Sequence, residues 1–411
     1  MKKISLLLFI ILFSCTEPYL LQTSNFEEAI VIEATITNEL KTQQIKLSKT
    51  YRLEENGPEF IENANVSIED DLGNIYNFVE SDEIYESQNP FQAIAGRKYK
   101  LTIVTGGKTY TSTQEILTTE NQIQSVEVFD KTIANVRGAE IEVKSFDPTN
   151  SSKYYRYEYE ETYKIIAPKW IPFTGTVIAV PNPANPSESI PQIFTTPRTY
   201  EAKVCYSTDK SNKIIQFNTS NLSEDRVKLN IRFIPIDNPI IKHRYSILVK
   251  QYIQNLEAYT YYNTLKKLSE NQSILSQNQP GFFSGNITCL SNPNEKVIGF
   301  FDVSSYSEKR MFFNFEDVFP NTTKPGYFFD CYNDQMSIVD PEVKGRYQFC
   351  FVVSQPSDCE AEIVSDILQQ NVLLFYKELY ISPYKYVDLV PLPCGDCTTF
   401  SSNVVPPFWQ W

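Results

Sequence analysis

Histidine is nearly missing from this chain: His243 is the one imidazole in 411 residues. That excludes any metal site built on two histidines and any helical His-Glu-x-x-His pair. His243 itself sits in Ile241-Lys242-His243-Arg244, just ahead of a strand pattern, and reads as a surface residue. Glycine is scarce at 13, and no Gly-x-Ser-x-Gly elbow or Gly-rich phosphate loop occurs. Basic residues are too few to balance the acidic ones, 37 against 50, for a formal net charge of −13. A chain this acidic is not built to bind nucleic acid, nor to lie on an anionic lipid surface by its overall charge. No internal repeat is visible. The one apolar run at the start, Ile4 to Phe13, is too short to cross a bilayer as a helix.

What is present begins with that run. Lys2 and Lys3 precede it, and Leu12-Phe13-Ser14-Cys15 ends it. A positive start, a short apolar core and a small residue before a cysteine form a bacterial lipoprotein signal. The expectation is that residues 1–14 are removed and that Cys15 becomes the lipidated first residue. Acyl chains contribute about 0.8 kcal/mol per buried methylene, so two or three hold the chain stably. Thr16, rather than an aspartate, follows Cys15 and favours the outer membrane. Residues 15–26 read as a lipidated tether, of which the eleven residues after Cys15 reach about 36 Å when extended.

From Ala29 the apolar residues alternate. Ile30, Ile32, Ala34 and Ile36 share one face, and Ile45 with Leu47, Val66 with Ile68, and Tyr99 with Leu101 and Ile103 repeat the pattern. Gly106-Gly107 between two such runs marks a tight hairpin. Short strands at regular spacing predict an immunoglobulin-like β-sandwich over 27–118, expected to fold by itself. The Glu69-Asp70-Asp71 cluster reads as a solvated strand end, with calcium ligation as the alternative.

Residues 119–411 predict a larger, β-rich domain with one or two packed helices, so the fold class is mainly β. Val227, Leu229, Ile231 and Phe233 give its cleanest strand. Seven prolines between Pro168 and Pro197 predict an extended loop over 168–197 that carries Trp170, Ile171 and Phe173. A helix over about 256–269 places Ala258, Tyr261, Tyr262, Leu265 and Leu268 on one face, and a shorter one is expected near Val364 and Leu368. The chain ends in Phe408-Trp409-Gln410-Trp411. All three tryptophans therefore fall in irregular segments. Tryptophan is enriched at interface hot spots, so Trp170, Ile171, Phe173, Phe408, Trp409 and Trp411 are candidate partner contacts.

Beyond Cys15 seven cysteines remain, an odd number, so at least one is free or pairs outside the chain. Cys394-Gly395-Asp396-Cys397 reads as a pair of structural disulfides with partners among Cys331, Cys350 and Cys359, while Cys205 and Cys289 form a further candidate bridge. A redox dithiol or a zinc knuckle is the alternative for this tetrapeptide. No cofactor and no catalytic set is indicated.

Several of these stretches, taken in order, carry a family likeness. They are Ala29 to Ile36; Glu62-Asn63-Ala64-Asn65-Val66; Gly96-x-x-Tyr99-x-Leu101; Asp147-Pro148 with Tyr154-Tyr155-Arg156; and Arg244-Tyr245-Ser246-Ile247. Gln279-Pro280-Gly281, Gly285-Asn286-Ile287, Val297-Ile298-Gly299-Phe300-Phe301 and the Cys394–Cys397 tetrapeptide complete the set. The chain resembles an uncharacterised family of Bacteroidetes outer-membrane lipoproteins with a domain of unknown function. Genes of that family commonly lie beside those of TonB-dependent receptors. The resemblance implies an accessory or binding subunit, not an enzyme, partnered with an outer-membrane β-barrel and facing the extracellular side. A surface hydrolase acting on glycans or other polymers, and a cell-surface adhesin, stay open as alternatives.

Overall fold

The computed structural model describes residues 28–52, 55, 57–183, 185–270, 284–339, 360–381 and 384–411. The signal segment 1–14, Cys15 and the tether lie outside the described residues, as do Gln279-Pro280-Gly281, Cys350 and Cys359. The architecture is mainly β with a few helices, and the described part of the chain divides into two compact units. Residues up to Leu117 together with Ser273–Val303 form the first, and Thr118–Gln272 together with Ser304–Trp411 form the second.

In the first unit the alternating residues do what their spacing dictates. Ile32, Ile36, Leu47, Val66, Ile68, Leu101 and Ile103 are all buried in one core, and Tyr85 and Tyr99 lie inside it with their hydroxyls on backbone groups. Strand Ile30–Thr37 pairs with Gln44–Lys49. The path continues through Ile84–Ser87, Ile75–Ser81, Asn65–Asp70, Lys98–Thr105 and Lys108–Ser112. The hydrogen bonds thus trace one antiparallel path. The immunoglobulin-like arrangement of two separately paired sheets, expected for 27–118, is not established by them. At Gly106 and Gly107 φ is +55° and +72°, the left-handed region that a two-residue hairpin turn requires.

Residues 27–118 are not the whole of this unit. The chain returns to it late: Ile287–Cys289 pairs with the edge strand Lys108–Ser112, and the first part of Val297–Asn314 lies beside Ile30–Thr37. Gly299 allows that approach, since a Cβ there would stand 2.4 Å from the carbonyl oxygen of Ile32. Ile287, Val297, Phe301 and Val303 complete the core.

In the second unit two sheets share one core. Val204–Lys210, Tyr154–Ile166, Arg244–Gln254 and the later part of Val297–Asn314 make one sheet. Asp225–Pro235, Val136–Asp147 and Ile123–Ile133 make the other. Tyr155, Tyr157, Tyr245, Ile247 and Val249 meet Ile141, Val143, Val227 and Ile231 between them. The helix Leu256–Glu270 buries Ala258 and Tyr261, as its periodicity requires. A smaller layer follows, in which Asp334–Val339, Tyr384–Pro391 and Leu373–Ile381 form a three-stranded sheet. Helix Glu360–Gln369 packs on it through Val364 and Leu368.

The expected loop over 168–197 is instead a two-stranded ribbon. Phe173–Asn182 pairs with Asn185–Pro197, with Thr176 opposite Phe194 and Val177 opposite Ile193. Prolines are tolerated because each strand of an isolated ribbon has a free edge, where a missing N–H costs no ladder bond.

The returning segment makes a stability claim. Each of Ile287, Val297, Phe301 and Val303 contributes about 1.5–3 kcal/mol by burial, which sums to the order of a domain's whole stability of about 5–15 kcal/mol. A fragment of residues 27–118 should therefore show no cooperative thermal transition by circular dichroism. The same fragment joined by a short linker to residues 284–303 should regain one. Cooperative melting of 27–118 alone would contradict this assignment.

Candidate functional site

Four consecutive residues near the C-terminus fasten the second unit. Cys394 is bonded to Cys331, and Cys397 to Cys205. The two cysteines of the tetrapeptide thus face different partners, so they are not a vicinal redox dithiol. Among the described residues no group of three or more metal-ligating side chains occurs either. The expected bridge between Cys205 and Cys289 is not formed. Cys289 belongs to the edge strand of the first unit, where its thiol is buried and free, 3.3 Å from the Ser291 hydroxyl. Cys205 belongs to a strand of the second unit. Of the three partners expected for the tetrapeptide, Cys331 is used, while Cys350 and Cys359 lie outside the described residues.

Between the two disulfides, Asp396 holds the base of the ribbon. Its Oδ2 accepts from Arg198 at 3.0 Å and from the Tyr200 hydroxyl at 2.8 Å, and its Oδ1 accepts from the backbone N–H of Thr398. Arg198 in turn donates to the carbonyl oxygens of Ile171 and Pro172 on the opposite strand's approach. The Arg198 and Asp396 side chains are only 4% and 6% exposed. The hydrogen bond to Asp396, with burial, raises the Tyr200 phenol above its ordinary value. Further out, Gly175 lets the ribbon lie on Phe375: a Cβ at 175 would stand 2.3 Å from that ring. Val177 and Ile193 then point inward against Phe375, Val364 and Leu368.

This orientation decides which residues face water. Inward positions 175, 177 and 193 alternate with outward ones, so Ile178 and Phe194 are turned to solvent at 44% and 41% exposure, with Phe173 also exposed at the ribbon's start. Ile178 and Phe194 escaped the sequence reading because the prolines masked the period-two alternation. The expected contacts are otherwise mostly internal. Trp170 packs on the main core under the Lys203 ammonium, and Ile171 packs on the smaller layer. Trp409 is 7% exposed, edge-on to Tyr206 at 4.9 Å and to Phe312 at 5.8 Å. Phe408 is covered by the Arg310 guanidinium, 3.5 Å from its ring centroid. Of the tail's aromatic residues only Trp411 stands clear, at 78% exposure. The tail lies across the strands that carry Tyr206, Phe312 and Arg310, and this intramolecular packing accounts for the aromatic residues there.

The remaining polar groups serve turns and cores. The Asp70 carboxylate, expected either to face water or to bind calcium, caps its own turn by accepting from the N–H groups of Leu72 and Asn74 and meets Arg97 at 3.4 Å. Glu161 is buried with Arg232 in a bidentate pair and accepts from Tyr245 at 2.6 Å. Asp147 is buried, which by itself opposes ionisation. Donors from Thr149, Ser152 and Ser151 outweigh that and hold its pKa at about 2. His243, expected on the surface, is partly buried. Burial first, and then the lysines Lys324, Lys242 and Lys164, push its pKa down to about 4.

A family model described as a domain of unknown function (DUF4249) matches residues 16–310. No curated protein matches the chain. Among solved structures, a biofilm associated protein, BSP domain, is 10% identical with a TM-score of 0.14. That alignment covers 71% of this chain, and the chain spans 60% of the length of that structure. A TM-score of this size does not amount to a shared fold.

Two measurements follow. Removing one partner of a buried ion pair costs about 3–5 kcal/mol. Asp396→Ala and Arg198→Ala should each lower the denaturant midpoint accordingly, and the double variant should cost far less than the sum. Acid should act in two steps. The depressed His243 contributes stability above its unfolded pKa near 6.5, and that stability is lost as pH falls through about 4. The depressed Asp147 contributes about 2 kcal/mol above its ordinary 3.8, lost as pH falls through about 2. Urea unfolding against pH should lose the first step in His243→Gln and the second in Asp147→Asn.

Proposed function

The chain belongs to the DUF4249 family of domains of unknown function, and with that as premise we propose that it is a lipid-anchored accessory subunit of an outer-membrane complex. In this reading Cys15 carries the lipid. The partner is a β-barrel protein of the TonB-dependent transporter class, engaged on the extracellular side. The observation that carries the reading is the ribbon Phe173–Asn182 with Asn185–Pro197. It sets Ile178 and Phe194 outward from a base clamped by Arg198 and Asp396. A hydrogen-bonded ribbon clamped at its base loses less freedom on docking than an unpaired loop of the same composition. Large side chains of this kind are where interface energy concentrates. The lipid signal supports placement at a membrane, and the family resemblance supports the class of partner.

The test is purification of the tagged protein in mild detergent from its native membrane. A barrel protein should be recovered in stoichiometric amount, and Ile178→Asp with Phe194→Asp should reduce its recovery about tenfold or more, given about 2 kcal/mol per hot-spot side chain. Trp409→Ala should instead act on stability, since that ring is internal. Cys15→Ala should abolish palmitate labelling. Recovery of a lone monomer would overturn the complex. Undiminished recovery from the ribbon variant would overturn the ribbon as its contact.

A further inference from the structure

We propose that the end of the second unit around His243 binds the phosphates of anionic lipid headgroups, with Trp411 seated at the membrane interface. The body of the protein would then lie on the bilayer rather than hang from it. The proposal rests on the reading of the chain as membrane-anchored only for the nearness of a bilayer. The site is a different one from the ribbon.

The juxtaposition comes from strand register. Tyr163 is paired with Tyr245, so Lys164 and Arg244 follow at the next position of neighbouring strands. Lys164 is paired on its other side with Tyr206, and Arg244 with Asn314. This row of four strands ends beside Lys242 and His243. After burial, the Lys324 charge is the strongest influence lowering the pKa of both residues. The charges of Lys324, Lys242 and Lys164 all disfavour protonation of this imidazole, Glu316, ion-paired to Lys324, opposes them, and Asp317 is held on Asn314 beside Arg244. Lys164 and Lys242 make no ion pair among the described residues. In a chain of net charge −13 this is a local excess of positive charge.

The tail lies against the same row. Arg244 donates to the carbonyl oxygen of Gln410 at 2.6 Å, and the Lys164 ammonium stands 5.1 Å from the Trp411 ring. The internal ring of Trp409 anchors the segment. Trp411 is thereby held at 78% exposure beside the cations, with Val404 at 70% earlier in the tail. An exposed indole next to lysines matches the place where headgroup phosphate meets acyl chain, since tryptophan collects at that depth and lysine is attracted to anionic lipid. An acidic peptide or free anion would use the cations and leave the indole without a role. The overall acidity does not prevent binding. At about 0.1 M salt, charges beyond about 10 Å are largely screened, so the nearest groups decide.

The experiment uses the full chain carrying Cys15→Ala, so that lipid does not supply the attachment. It is mixed with vesicles of phosphatidylcholine, with and without phosphatidylglycerol. Sedimentation with the phosphatidylglycerol vesicles alone is expected, with a blue shift of tryptophan emission that Trp411→Ala removes. Lys164→Gln with Lys242→Gln should weaken binding about tenfold or more, while thermal melting shows both variants folded. Phe194→Asp, directed at the barrel contact, should leave vesicle binding unchanged, which separates a failure here from a failure of the complex. Equal binding to both vesicles, or unaltered binding by the double lysine variant, would overturn the proposal. So would binding of inorganic phosphate by a chain that ignores the vesicles.

Discussion

The buried contact between Arg198 and Asp396 is the constraint on which much of the second unit depends. Two ions at 4% and 6% exposure are stable only when each polar atom is matched. Here the match recruits Tyr200, Thr398 and the backbone at Ile171 and Pro172. The flanking cysteines cannot move without disturbing it, and it cannot move without straining them. One tetrapeptide therefore fixes the strand of Cys205, the segment of Cys331, and the ribbon. The tail that follows is positioned as a consequence, because Cys397 sets where the chain crosses toward Tyr206 and Phe312.

Charge explains why the two exposed faces differ in character. The ribbon's outer side carries Ile178 and Phe194 among threonine and glutamine, so it is apolar with little field. The row at Lys164 and Arg244 is cationic with a single large ring. One surface suits a partner with its own apolar patch, and the other suits a phosphate-bearing interface. Both are oriented by the same C-terminal fastening within one compact unit.

Much of the fold was legible where one face of a strand is buried. Ile30 to Ile36 and Val227 to Ile231 alternate because the pleat alternates, while a bulge at Ile231 turns Ile234 inward in place of the expected Phe233; the helix face at Ala258 and Tyr261 follows from its period. The ribbon was not legible, since prolines usually argue against strands and the free edges that excuse them are a tertiary fact. Nor was the return of residues 287–303 to the first unit, because pairing between distant segments leaves no local mark. The tetrapeptide was legible as a staple but not in its wiring, and the role of Asp396 between its cysteines was invisible until Arg198 was placed beside it. The tryptophans misled for a physical reason. Irregular backbone usually lies at the surface, whereas Trp409 is held inside by rings on two strands.

The late return of residues 273–303 also has a consequence in time. A ribosome delivers the chain from its N-terminus, and 155 residues, 118 to 272, separate the two pieces of the first unit. At about 5–20 residues per second that interval lasts about 8–31 s. During it the edge of Ile30–Thr37 that later meets Val297–Asn314 has no mate, and the core lacks Phe301. An open strand edge of this kind is a template for pairing with the wrong chain. Delivery in an unfolded state, with both pieces arriving before either commits to a partner, would close that window. The discontinuity thus ties the protein's yield to whatever keeps the nascent chain extended until residue 303 has emerged.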